Sequence, residues 1–298
     1  MPRNLNIIII TMKLYPLILL AISPILFFSC KENNKIETIK KVHAQDFIDP
    51  KAFGLVNFNL KSLINAPSAR DFLALKIGKN KEFKILKELQ ITFENFDKIT
   101  VSLSANEMYI LTLNEAINLD EYYEQFLINK SAKFSGERLL FENKNIFRIS
   151  RKEESRFCTQ VSPRIILIGQ QNELLATLSK RETAIRPLAS QIDFSHALSL
   201  LIIQSELLPP QLKDIKKLSG KATLKESLEI DLTGDFNNIE ACNSTENMLR
   251  TLIGFSPIPK EMRQSIKFLN TAPQLRLSAQ ITESEIQQLV TDMVNKDK

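Results

Sequence analysis

The sequence has no tryptophan, and among its 298 residues there are seven glycines, three cysteines and two histidines. His43 and His196 have no second histidine, cysteine or acid at metal-ligand spacing, so we predict no bound metal. The few glycines form neither a P-loop nor a Gly-x-Gly-x-x-Gly motif. The serine elbow Gly-x-Ser-x-Gly and the metalloprotease motif His-Glu-x-x-His are also missing from the sequence. We therefore predict a protein without a cofactor and without a known catalytic motif.

The sequence also lacks a long block of one charge. Lysine and arginine number 39 against 34 acidic residues, a net charge of +5. Even the densest basic stretch, 148–156, contains Glu153 and Glu154. A surface with mixed charges does not attract phosphate backbones as a basic stripe does. The composition therefore argues against nucleic acid as a partner.

The strongest apolar run is too short to span a bilayer. Residues 14–28 carry no charge, whereas a membrane-spanning helix needs about 20 apolar residues. Lys13 precedes the run and the small residue Ser29 ends it. A basic flank, a short apolar core and a small residue are typical of a secretory signal peptide. We predict this signal peptide over residues 1–29, with Met12 as an alternative start.

The end of this run, Phe27-Phe28-Ser29-Cys30, resembles the lipobox of bacterial lipoproteins. Ser29 and Cys30 match the family pattern, whereas Phe27 and Phe28 depart from it. The resemblance covers about the first tenth of the chain. It implies that a peptidase cuts before Cys30 and that this cysteine carries palmitate-type acyl chains in the cell envelope. Lys31 is not the aspartate associated with inner-membrane retention, so the resemblance favours the outer membrane. An uncleaved anchor and ordinary secretion are the alternatives.

The rest of the chain divides into a tether and two halves. Two or more acyl chains hold a protein stably on a bilayer without a spanning helix. Residues 30–50 are mostly polar, and we predict a solvated tether there between the lipid and the folded part. The folded part is predicted as two halves, 51–190 and 191–298.

The hydrophobic pattern predicts an α+β fold with antiparallel sheets and helices on one face. Runs of period two predict hairpins at 98–114, 139–150 and 221–234. Asn118 and Thr282 each begin a predicted helix, because a glutamate follows three residues later. We also predict one helix from Pro209 to Gly220 and another over 258–270.

The order of these elements predicts a duplication. A strand, a helix ending at glycine, a hairpin and a second helix occur in 53–180 and again in 197–294. We predict that the two segments share one strand order. Convergence on a common pattern is the alternative.

Two cysteines remain besides Cys30. We predict Cys158 just before a strand and Cys242 on the apolar face of a helix. In an oxidising envelope they could form a disulfide worth about 4–5 kcal/mol in the chain-entropy model. Two buried free thiols are the alternative.

These observations favour a non-catalytic lipoprotein that serves as an envelope scaffold or binding module. Its partners would be the membrane, through the lipid, and an envelope protein or hydrophobic ligand. A carrier of lipids or other hydrophobic ligands is the first alternative, since the chain is rich in phenylalanine and leucine. A hydrolase built from two distant carboxylates is the second, and a raised carboxyl pKa in a cleft would favour it.

Overall fold

The structure is a computed structural model. It describes residues 43–49, 51–63, 80–130, 133–151, 154–179, 188–203, 213–224, 227–255 and 260–296, together with Ser68, Asp71 and Ala74. The predicted signal peptide, Cys30 and most of the predicted tether lie outside these residues. The helix predicted to end at Gly78 also lies mostly outside them.

The chain divides into two compact units, with a boundary between Gln191 and Ile192. The N-terminal unit comprises Cys30–Lys61 and Leu73–Gln191, and the C-terminal unit comprises Ile192–Lys298 with Ser62–Phe72. Each unit combines an antiparallel sheet with helices. The predicted α+β fold is confirmed.

The N-terminal unit contains seven described strands and three described α-helices. The strands are β1 (Gly54–Asn59), β2 (Phe96–Leu103), β3 (Glu107–Leu113), β4 (Phe134–Phe141), β5 (Lys144–Arg151), β6 (Glu154–Ser162) and β7 (Ile165–Gly169). The helices are α1 (Lys81–Glu88), α2 (Leu119–Asn129) and α3 (Gln171–Ser179). The strands lie in the order β1-β2-β3-β7-β6-β5-β4, all antiparallel. The hairpins predicted at 98–114 and 139–150 are β2–β3 and β4–β5.

The C-terminal unit contains five described strands and three described helices. The strands are β8 (Leu198–Ile203), β9 (Ile215–Leu224), β10 (Leu228–Phe236), β11 (Lys267–Thr271) and β12 (Gln274–Ile281). The helices are α4 (Ile239–Phe255), α5 (Lys260–Ser265) and α6 (Glu283–Lys296). The strands lie in the order β8-β9-β10-β12-β11.

The two units repeat one topology. In each, three strands meander and a helix follows. The last strand then pairs with the third strand, the strand before it pairs with the last, and a final helix ends the unit. The N-terminal unit adds the β4–β5 hairpin beyond β6. The predicted recurrence of one strand order is confirmed for the five shared strands.

The repeat extends to single residue pairs. Residues 54–59 of β1 pair with 103–98 of β2, and residues 198–203 of β8 pair with 222–217 of β9. The second and third strands carry a bulge at the same place, beside Phe96 in one unit and beside Phe236 in the other. A shared register and a shared irregularity indicate duplication more strongly than element order does.

The core positions correspond as well. A cluster in the C-terminal unit consists of Ile215, Phe236, Cys242 and Leu275, all at most 4% exposed. The strand registers align Ile215, Phe236 and Leu275 with three buried residues of the N-terminal unit, which are Phe96, Leu113 and Ile166. In the C-terminal unit the cluster lies where α4 begins.

Both predicted helix starts are confirmed. The Asn118 side chain accepts a hydrogen bond from the Asp120 backbone at the start of α2. Thr282 and Glu285 form the reciprocal capping box before α6, with N···O distances of 2.7 and 3.4 Å. Each cap satisfies backbone N–H groups that the first helical turn leaves unpaired.

Three boundaries predicted from sequence were wrong. Phe47 and Ile48 are 0% and 1% exposed, so the solvated tether ends before them. Residues 215–220, predicted as the end of a helix, belong to strand β9. The helix predicted over 258–270 ends at Ser265, and β11 follows it.

Gly220 explains part of the wrong prediction of a helix where β9 begins. A Cβ at Gly220 would collide with the Cδ2 atom of Leu232, its cross-strand neighbour. The glycine is therefore required by a side chain that lies over the sheet. Sequence analysis interpreted it as a helix stop.

Candidate functional site

The two remaining cysteines are buried free thiols. Cys158 lies inside β6 rather than before it, and Cys242 lies in the first turn of α4. Burial raises the pKa of Cys158 to about 12. Burial, and then the carboxylate of Glu246, also raise the pKa of Cys242, whose thiol donates to Asn270 Oδ1 at 3.4 Å. Both thiols stay protonated at neutral pH and are poor nucleophiles.

A buried polar cluster in the N-terminal unit joins residues far apart in sequence. We call the set Asn80, Glu82, Glu107, Tyr109 and Arg156 the glutamate–arginine cluster. Arg156 Nε donates to Glu82 Oε1 at 2.7 Å, and the two side chains are 12% and 6% exposed. The second carboxylate oxygen of Glu82 is buried and has no hydrogen-bond partner within the described ranges.

Tyr109 connects the other members of this cluster. Its hydroxyl donates to Glu107 Oε2 at 2.7 Å and accepts a hydrogen bond from Asn80 Nδ2. Its ring meets Phe83 edge-on, with centroids 5.6 Å apart. Burial, and then the carboxylates of Glu107 and Glu82, raise the pKa of Tyr109 well above its ordinary value. The phenol therefore keeps its proton, and that proton is already bonded to Glu107.

The chemistry open to the glutamate–arginine cluster is correspondingly limited. Tyr109 does not ionise, so it supplies neither a base nor an anionic nucleophile. The hydrogen bonds of this cluster join α1 and its preceding residue Asn80 to strands β3 and β6.

The histidine of the C-terminal unit is paired on both nitrogens. His196 Nε2 lies 3.2 Å from Asp193 Oδ2, and Nδ1 lies 3.3 Å from Thr223 Oγ1. Hydrogen bonds from Ser195 lower the pKa of Asp193. Both ring nitrogens of His196 therefore lie within hydrogen-bonding distance of a partner. The acid three residues earlier was the available sequence signal for this contact.

The aromatic residues of α2 belong to the core. Tyr123 and Phe126 are buried, and the Tyr123 ring stacks on Phe147 with centroids 4.3 Å apart. A Cβ at Gly136 would lie 2.7 Å from the Tyr123 hydroxyl, because β4 passes close to the helix. Burial of the phenol is the main reason that the pKa of Tyr123 is raised to about 12. Tyr123 and Phe126 therefore pack inward, whereas Tyr122 is half-buried.

The described residues contain neither a metal-binding group nor a membrane-spanning helix. No group of histidine, cysteine and acidic side chains in those ranges could hold a metal ion. None of the helices within the same ranges is long and apolar enough to span a membrane.

Comparison with known proteins adds little. No family model matches the chain, and no curated protein matches it. A solved structure, crystal form I of TP0453, is similar with a TM-score of 0.49 and 8% sequence identity. The alignment covers 85% of this chain and 98% of that chain. A likeness at this level supports no argument about function.

Proposed function

We propose that this chain is a lipid-anchored protein of the bacterial cell envelope that acts as a non-catalytic binding module. The observation that carries the proposal is the apolar run ending at Ser29-Cys30. Two or more acyl chains on one cysteine hold a protein on a bilayer. The tether and the folded part would then lie outside the cytosol.

The beginning of the core supports a short tether. Phe47 is fully buried, and Cys30 lies 17 positions before it. A chain of that length reaches roughly 55–60 Å when extended and about 20–25 Å as a coil. The folded part would therefore stay close to the membrane surface, within reach of other envelope proteins.

The polar side chains favour binding over catalysis. In the glutamate–arginine cluster the tyrosine proton and the arginine charge are already used by internal partners. Among the residues that the structure describes, the carboxyl pKa values that depart clearly from the ordinary range are those of Asp193 and Glu246, and both are lowered. A carboxylate hydrolase uses an acid whose pKa is raised.

The C-terminal sheet has one face suited to a partner. Its inward residues alternate with polar ones along β10 and β12. On the polar face Arg276 makes two hydrogen bonds to Asp231, at 2.8 and 2.6 Å, and Gln274 donates to Asp235 at 2.8 Å. Because these side chains are already paired with one another, they lose less conformational freedom on binding a partner than unpaired side chains would.

Metabolic labelling with palmitate in bacteria tests the anchor. The full chain should incorporate label, and Cys30→Ala should incorporate none. Cys242→Ala is the matched control, because its thiol is buried and it should leave the label unchanged. Label retained by the Cys30→Ala chain, or intact leader residues on an unmodified Cys30 in mass spectrometry, would refute the assignment.

A further inference from the structure

The outer edge of β11 is open in the part of the chain that the structure describes. β11 is the last strand of its sheet, and its described partner is β12. In the N-terminal unit the equivalent strand, β6, is covered on that edge by β5, and β5 is covered by β4. One copy of the repeat therefore extends its sheet at the place where the other stops.

The β11 edge offers backbone groups and one apolar side chain. Leu269, at the centre of the strand, is 57% exposed. A two-residue turn follows Thr271, and in such a hairpin the flanking pair exchanges both backbone hydrogen bonds. Phe268 and Asn270 then direct their N–H and C=O groups away from β12. Unpaired groups of this kind form a template for another strand.

The edge is complementary to itself. Antiparallel pairing about a twofold axis through Leu269 places this residue opposite its own copy. Phe268 then lies opposite Asn270 of the second copy, and the outward backbone groups of both form hydrogen bonds. Lys267 lies opposite Thr271. No like charges meet, and the two exposed leucines cover each other.

The opposite terminal strand, β4, lacks this property. Residues that pair across two antiparallel strands have their side chains on the same face, whereas neighbours along one strand have theirs on opposite faces. When a strand pairs with its own copy about a twofold axis, one residue must therefore lie opposite itself. In β4 the two central residues are Glu137 and Arg138. Either centre sets like charges against each other, which destabilises the pair. A pairing centred on β4 is therefore less favourable than the pairing centred on β11.

We propose that the β11 edge is an interface at which a second copy of this chain adds antiparallel to β11, with the twofold axis at Leu269. The two C-terminal sheets then become one sheet across the axis. The pairing deepens the proposed binding role, because it names the partner. It does not require the lipid anchor.

Cysteine cross-linking of the full chain in the bacterial envelope tests the register. The two copies of residue 269 form a non-hydrogen-bonded pair, whose Cα atoms lie about 4.5 Å apart and within disulfide range. Leu269→Cys alone should give a band at twice the chain's mass on a non-reducing gel. Lys267→Cys alone and Thr271→Cys alone should not. Cells that produce both of these variants should give the band.

Sedimentation of the purified full chain in detergent tests the uncross-linked pair. Leu269→Arg would place two cations opposite each other and should weaken dimerisation by at least about tenfold. Leu140→Arg is the matched control, because Leu140 is 73% exposed on the other terminal strand. It should leave dimerisation unchanged. Both variants change exposed side chains, and equal circular dichroism spectra would confirm their folding.

The proposal is wrong if the folded full chain sediments as a monomer, or if Leu269→Cys gives no more cross-linked band than the unsubstituted chain. A band from Lys267→Cys alone would also overturn it, because the register would be different. The Cys30→Ser chain should still dimerise in the sedimentation assay. If the unsubstituted chain carries no palmitate label but still dimerises, the anchor alone is refuted. If the unsubstituted chain carries the label but does not dimerise, the pairing alone is refuted.

Discussion

Arg156→Met should destabilise the N-terminal unit strongly, because it leaves the Glu82 carboxylate without its cation. The Glu82 side chain is 6% exposed, so water cannot replace the guanidinium. Removing one partner of a buried ion pair costs about 3–5 kcal/mol. We expect a decrease of this size in the free energy of unfolding.

The double variant Glu82→Met with Arg156→Met separates pairing from simple loss of contacts. Replacing both members of a buried ion pair by apolar groups is often neutral or stabilising. We therefore expect the double variant to be more stable than Arg156→Met alone. Glu82→Met alone leaves a guanidinium that is 12% exposed and still donates to the Ser155 carbonyl at 2.9 Å. That variant should be the less severe of the two single changes.

Tyrosine emission during urea unfolding measures this effect in the correct unit. The chain has no tryptophan and four tyrosines. Three of them, Tyr109, Tyr122 and Tyr123, lie in the N-terminal unit, and the fourth, Tyr15, lies in the predicted signal peptide. Their emission therefore follows the unit that contains the ion pair. If the effects of the two single changes simply add in the double variant, with no coupling above about 0.5 kcal/mol, the two side chains do not form a coupled pair.

Two further predictions concern small and buried residues. Gly136→Ala should destabilise the N-terminal unit by about 1–3 kcal/mol, because the new methyl group meets α2; urea midpoints would show this, and an unchanged midpoint would contradict the close approach. Gly254→Ala should instead stabilise the C-terminal unit by about 0.5–1 kcal/mol, since the added Cβ meets no atom within 4 Å in a helix. In the folded Cys30→Ser chain, Cys158 and Cys242 should resist a thiol reagent until urea is added. Rapid labelling without urea, or a mass lower by two hydrogens, would be inconsistent with two buried free thiols.

Local signals in the sequence were sufficient to predict most helices and strands. They did not predict the contacts of the glutamate–arginine cluster. Hairpins and helix starts depend on residues at most a few positions apart, so their patterns are visible along the chain. Arg156 and Glu82 are separated by 74 positions, and Tyr109 lies between them in sequence. Each looks like an ordinary surface residue until the sheet brings the three together. The cluster became visible only with the strand order β3-β7-β6.

The error at β9 has a physical cause that also explains why the duplication is hard to see in the residues. Ile215 and Leu218 both point to the core although they are three positions apart, a spacing typical of a helix. A bulge at this point inserts one residue into the strand, so the inward face changes its phase. Phe96 and Ile99 show the same spacing across the equivalent bulge in β2, and both are buried. The repeat therefore preserves a backbone irregularity while its side chains diverge, and a search for periodicity interprets that irregularity as a change of element.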